Sequence, residues 1–136
     1  MIEFEALAQP GIRGLRAYDP GHDLVALRRA AARPPLELGS NENPYGPSPA
    51  ALRAAIAALA AAHVYPDPLG GDLKRALARH HGVENAQVLL GNGSHELLMQ
   101  LAQVFAGPGD EVVASQYGFA VYALAAQAAG ATLRLA

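Results

Sequence analysis

No cysteine occurs in the chain, which excludes a disulfide scaffold, a thiolate nucleophile and any cysteine-based metal site. Charge is sparse as well. Charged residues make up 16% of the sequence and the formal net charge is -2 at pH 7, so the overall electrostatics favour neither nucleic acid nor an anionic membrane. Long hydrophobic runs are missing: the longest Ala/Leu stretch, residues 50–62, contains Arg53 and is too short to span a bilayer. The start of the chain is acidic and broken by Pro10-Gly11, unlike a secretory signal, so a soluble cytoplasmic protein is expected. Metal-ligand spacing is absent too. His80 and His81 are adjacent and expected to point apart, while His22, His63 and His95 have no acidic or histidine partner at ligand spacing, so no metal is expected. There is no Gly-x-Ser-x-Gly elbow, and Ser94 has no evident base, which weakens a hydrolase reading.

What is present is a globular composition. Apolar residues form 51% of the 136 residues, enough for one ordinary domain with a core and too few for two large ones. Residues 1–35 read as an arm broken by Pro10-Gly11, Gly14 and Pro20-Gly21, with a short helical pattern over residues 23–32. Arg28, Arg29 and Arg33 read as a solvated face. Residues 36–49 are dense in Asn, Gly, Ser and Pro, a composition that orders only where something fixes it. From Ser48 the pattern becomes regular. Ser48 as N-cap and Pro49 at the first helical position open a helix to about residue 62, with Leu52, Ile56 and Leu59 as its apolar stripe. Beyond the break at Tyr65-Pro66-Asp67, a helix carrying Leu73 and Leu77 runs to His80 and ends at Gly82. Strands are expected over residues 87–90, 111–115 and 131–135, alternating with helices over 94–105 and 119–129. That order predicts an α/β fold with parallel strands. The last strand would lie uncovered at the final residue, so the chain reads as interrupted and prone to aggregate.

The sharpest local signal is Gly91-Asn92-Gly93-Ser94-His95-Glu96, where a strand is expected to give way to a helix. Glycines allow a tight turn and close approach of a ligand, and the N–H groups of the following helix, with Ser94 as cap, suit a phosphate. No P-loop follows, and Glu96 stands where a dinucleotide fingerprint needs its third glycine. A capped Gly-rich turn without ligand explains the string as well. Asn41, Glu42 and Asn43 offer polar groups with few apolar neighbours, and composition alone favours a loop that caps its own backbone. Phe119 follows the second expected strand, on the side where open α/β sheets bind ligands, and a flat ring there suits stacking on a heteroaromatic cofactor. Tyr122, three residues on, would support it, although a core role explains either ring. Tyr18 and Tyr65 sit in Pro/Gly-broken segments and are expected to reach outward, toward a partner subunit.

Together these strings resemble the histidinol-phosphate aminotransferases, of the fold-type I pyridoxal-phosphate-dependent aminotransferases. The resembling pieces are Tyr18-Asp19-Pro20-Gly21, Leu38-Gly39-Ser40-Asn41-Glu42-Asn43-Pro44-Tyr45-Gly46-Pro47-Ser48-Pro49, Tyr65-Pro66-Asp67, Gly91-Asn92-Gly93-Ser94-His95-Glu96 and Phe119-Ala120-Val121-Tyr122. They keep the family's order and span nearly the whole chain. The resemblance implies the start of the large domain with an incomplete, mostly parallel open sheet. Residues 1–47 would be an N-terminal arm and active-site loop, and residues 48–136 the first part of the cofactor-binding domain. It further implies that Gly93, Ser94 and His95 cup the phosphate of pyridoxal 5'-phosphate and that Phe119 stacks on its ring. Tyr65 would reach the cofactor phosphate of the neighbouring subunit in a homodimer, and Tyr18, Asn41, Glu42 and Asn43 would line the substrate entrance. His95 departs from the Asn or Asp usual in the family.

The family's chemistry needs a lysine for the Schiff base and an acidic partner for the ring nitrogen. The one lysine, Lys74, lies in the amphipathic helix after Gly70-Gly71 and reads as solvated. No catalytic residue is therefore assigned, and the piece is expected not to transaminate alone. The full-length family member would convert L-histidinol phosphate and 2-oxoglutarate to imidazole acetol phosphate and L-glutamate, in histidine biosynthesis. The alternatives are an aromatic-amino-acid aminotransferase, a threonine-phosphate decarboxylase, a half that complements a separate chain, and a phosphate-binding module without catalysis.

Overall fold

The computed structural model describes residues 4–18 and 23–136; Asp19, Pro20, Gly21 and His22 of the arm lie outside the described residues. In chain order the elements are α1 (Pro10–Arg13), α2 (Leu24–Ala30), α3 (Pro49–Ala58), α4 (Gly71–His81), α5 (Ser94–Phe105), β1 (Glu111–Ala114), α6 (Val121–Ala129) and β2 (Thr132–Leu135). Short 3-10 turns stand at Phe4–Leu7, Leu59–Ala61 and Asn85–Gln87. The chain divides into two compact units, Met1–Asp19 with Ala76–Ala136, and Pro20–Arg75.

In the first unit β1 and β2 pair in parallel, Val112 opposite Leu133 and Ala114 opposite Leu135. A parallel pair cannot be closed by a hairpin and needs a crossover, which α6 supplies. Val121, Ala125 and Ala126 are buried along one face of α6, and that helix packs on α5, α1 and both strands. Gly130 ends α6 at φ 76°, with Gly130 N–H donating to the Gln127 carbonyl and Ala131 N–H to the Ala126 carbonyl, each at 2.9 Å. This is the Schellman arrangement, and the left-handed conformation it requires is why a glycine stands there. Gly82 closes α4 in the same hand, at φ 67°, with Val83 N–H on the Ala78 carbonyl at 3.0 Å. The arm meets α6 through Gly11, where a Cβ would fall 2.2 Å from the Gln127 carbonyl oxygen. Only a hydrogen atom fits between the two backbones.

Residues 87–90 do not form the expected strand. Glu84 and Gln87 close a reciprocal capping box, the Glu84 N–H donating to Gln87 Oε1 at 2.9 Å, and so draw Gln87 into a 3-10 turn. Val88 is extended (φ -106°, ψ 117°), but among the described residues this segment has no ladder partner, and the sheet has two strands. His80 and His81 also depart from expectation. Instead of pointing apart, their rings meet edge to face with centroids 4.8 Å apart.

In the second unit Asp23 caps α2, accepting the Ala26 N–H at 2.9 Å, and the helix stops at Ala30, two residues short of the expected end. Ser48 holds the N-cap position of α3 with Pro49 behind it, without a side-chain capping bond. Leu52, Ile56 and Leu59 form the expected stripe, and all three are exposed. Among the described residues no helix is long and apolar enough to cross a membrane.

Candidate functional site

The first unit brings the Gly-rich turn and three aromatic rings together. Gly93 is the N-cap of α5 at φ 85°, ψ 171°, a backbone region open essentially to glycine alone. Ser94 is thus the first residue of the helix and makes no capping bond, a correction to the sequence reading. The reason is local: the positive-φ residue at the cap is Gly93, and Glu96 reaches back past it to Asn92 instead of to a helix N–H. Its Oε2 accepts the Asn92 N–H and, at 2.9 Å, the Asn92 Nδ2, while Oε1 accepts Gln100 Nε2 at 3.2 Å. The Asn92 backbone N–H, and after it the Asn92 side-chain amide, hold the Glu96 carboxyl below its ordinary range. Among the described residues no acceptor takes the N–H of Gly93, Ser94 or His95. Three adjacent donors at the head of a helix of 12 residues, where the dipole is positive, are suited to an anion.

Beside this turn stands the aromatic cluster. Tyr18, at the end of the described arm, sits edge to face on His95 and on Phe119, each at 6.0 Å between ring centroids. Phe119 meets Tyr122 in the same manner at 6.3 Å. The Phe119 ring follows β1 after a tight turn in which the Gly118 N–H donates to the Ser115 carbonyl at 3.0 Å. Its side is partly open to solvent, so a planar ligand has room against it. The chain thus brings residues 18, 95 and 119 together from three separate segments, one of them the turn that carries the free N–H groups.

The other predicted residues lie in the second unit. Asn41 is left-handed at φ 54°. Asn43 bends the loop by its own side chain: Oδ1 accepts the Tyr45 N–H at 3.0 Å and Nδ2 donates to the Gly46 carbonyl at 3.1 Å. Glu42 pairs with Arg28 at 3.6 Å, both exposed. Tyr65 is 98% exposed, as its Pro-broken surroundings predicted. Asp67, to which the sequence reading gives no role, accepts the Gly71 N–H at 2.7 Å and the Leu69 N–H at 3.0 Å. Those bonds, Gly71 first, hold its carboxyl below the ordinary range. Lys74 on α4 is partly covered, not fully solvated. In the sequence Glu96 stands within the Gly-rich string and as a mismatch to a dinucleotide motif, with no role of its own. Its place three residues after the cap, the usual capping-box position, was the signal available. Among the described residues no group of three or more histidine, aspartate or glutamate side chains gathers in metal-binding array.

The family model for aminotransferase class I and II matches residues 33–136. The chain belongs to the class I and II aminotransferases. Its similarity to individual aminotransferases extends further toward the N-terminus. A histidinol-phosphate aminotransferase of Jannaschia sp. is 47% identical over 124 residues, covering 91% of this chain and 33% of the relative. Histidinol-phosphate aminotransferase 2 of Pseudomonas aeruginosa is 47% identical over 134 residues, covering 96% of this chain and 36% of the relative. Among solved structures, histidinol-phosphate aminotransferase from Sinorhizobium meliloti, in complex with pyridoxal-5'-phosphate, superposes with a TM-score of 0.79 at 32% identity, over 95% of this chain and 34% of that one. The chain spans about a third of the length of the curated relatives it matches. The α/β class read from the sequence stands: this is part of the aminotransferase fold with a small open parallel sheet.

Proposed function

We propose that the chain carries the phosphate-binding turn and ring-stacking surface of a pyridoxal-phosphate-dependent histidinol-phosphate aminotransferase. The observation that carries this reading is the free N–H row of Gly93, Ser94 and His95 beside the Tyr18–Phe119 pair. The residues fit the group: the phosphate needs donors without acceptors, and the pyridine ring needs an aromatic face. The relatives named above support the choice of substrate class. When bound, the cofactor supplies the electron sink for exchange of an amino group. In this reading the N–H groups of residues 93–95 and the Ser94 hydroxyl hold the phosphate, and Phe119, kept upright by Tyr122, orients the ring. Tyr18 closes one side against His95 and excludes water there. Asn41 and Glu42 contribute to the substrate entrance, and Asn43 shapes that loop from within. Tyr65 reaches the cofactor phosphate of a second subunit in a homodimer.

Residues 1–47 serve as arm and active-site loop and residues 48–136 as the first part of the cofactor domain. The amino group passes from L-histidinol phosphate to 2-oxoglutarate in the cytoplasm, and no residue of this chain is assigned the role of Schiff-base lysine. The test is an absorbance titration with pyridoxal 5'-phosphate. Saturable binding that persists in Lys74→Ala and weakens in Ser94→Ala supports the reading; binding lost with Lys74 and indifferent to Ser94 defeats it.

A further inference from the structure

Glu96 lies in the first turn of α5, where a carboxylate is ordinarily favoured by the helix dipole and by the unpaired N–H groups of its own helix. Here it reaches back out of the helix. Both oxygens are engaged, Oε2 by the two donors of Asn92 and Oε1 by Gln100, so the side chain joins the segment before Gly93 to the second turn of α5. Packing closes the turn from the other side: a Cβ at Gly91 would stand 2.8 Å from Leu97 Cδ2 and 3.4 Å from Glu96 Oε2. By occupying the Asn92 N–H, the carboxylate leaves the amides of Gly93, Ser94 and His95 as a contiguous group without acceptors among the described residues.

We propose that Glu96 is a positioning residue for the phosphate-binding turn, clamping Asn92 so that the next three N–H groups converge on one anion. The inference rests on the phosphate reading above. A carboxylate near an anion site opposes binding through charge, so its benefit must be geometric. Its two oxygens are turned to Asn92 and Gln100, away from the free N–H row's own requirement for an acceptor. The Asn92 donors favour the charged form and hold the Glu96 carboxyl below its ordinary range, so the clamp loses its charge only at a lower pH than a free carboxylate would.

The test uses the whole chain, with pyridoxine 5'-phosphate and pyridoxine as probes in equilibrium dialysis, since neither has an aldehyde to condense with Lys74. Glu96→Ala is expected to weaken pyridoxine 5'-phosphate about tenfold, the scale of one charge-assisted hydrogen bond, and to leave pyridoxine unchanged. Amide hydrogen exchange without ligand should speed up at Asn92 while the second half of α5 keeps its protection. Glu96→Gln retains an acceptor oxygen at the same reach and should recover most of the affinity. Glu96→Asp is too short to reach and should behave as Glu96→Ala does, which keeps the test intact if the alanine variant fails to fold. An unchanged Asn92 exchange rate, or an unchanged preference for the phosphorylated probe, overturns the proposal. Tighter binding of the phosphorylated probe overturns it too, since Glu96 would then act only as a repelling charge. A wild-type chain without preference for pyridoxine 5'-phosphate defeats the phosphate reading itself, and exchange at Asn92 then decides separately whether Glu96 holds the turn.

Discussion

Two segments of this chain are built from nearly the same residues and end in opposite states. Asn41-Glu42-Asn43 and its neighbours form a loop that turns part of its hydrogen-bonding capacity on itself: Asn43 binds both Tyr45 N–H and the Gly46 carbonyl, and Glu37 takes the amides of Gly39 and Ser40. Gly91-Asn92-Gly93-Ser94 also uses an asparagine, but Glu96 takes up the Asn92 N–H and Nδ2, and the following N–H groups stay open. The difference lies in what comes next. A helix aims its first N–H groups together along its axis and cannot satisfy them internally, whereas an irregular loop points its donors in different directions and folds side chains onto some of them. Polar, Gly-rich composition alone does not make a binding turn; direction into a helix does.

The sharpest way to break this contrast is at Gly93. Gly93→Ala forces a side chain into a conformation that only glycine adopts freely, at a cost on the order of 1–3 kcal/mol. It should also abolish the preference for phosphorylated ligands, read by chemical denaturation and by dialysis with pyridoxine 5'-phosphate. Asn43→Ala is the mirror experiment. It removes two exposed loop bonds and should cost about 1 kcal/mol or less, leaving phosphate preference unchanged. Acid sharpens the comparison more gently. Asp67 and Glu96 both have folded-state pKa values below their ordinary 3.8 and 4.5, because backbone N–H groups stabilise their charged forms. Each therefore contributes stability above its ordinary value, and that contribution disappears as pH falls through the depressed one. Carboxyl chemical shifts followed by NMR should show both titrating late, with the Asn92 amide losing protection in step with Glu96 alone.

Much of the fold could be read from local signals. α5 occupies the residues expected of it because glycine precedes it and Gly107-Pro108 follows, and Gly130 marks the end of α6 by the handedness of its turn. The strand expected over residues 87–90 failed because apolar character does not provide a pairing partner, and the Glu84–Gln87 capping box competes locally. The stripe on α3 was legible as a face, but periodicity carries no information on what would cover it. The site divides the same way. Gly93 and Ser94 were visible as a turn, whereas the meeting of Tyr18 with His95 and Phe119 depends on contacts between segments far apart in sequence, which no local pattern encodes.

The contact at Gly11 has a consequence for the part of the arm that belongs to the first unit. Because its backbone rests directly on the carbonyl of Gln127, the arm is gauged against the final turn of α6 with the tolerance of a single hydrogen atom. Arg13 stiffens the same stretch by donating to the Ala6 and Ala8 carbonyls at 2.7 and 2.9 Å. Tyr18 is therefore mounted on a short, braced lever whose fulcrum is one helix and whose tip touches the head of another. A methyl group at residue 11 would act as a wedge under that lever, and its effect would be felt first at the far end, where the tyrosine ring meets His95.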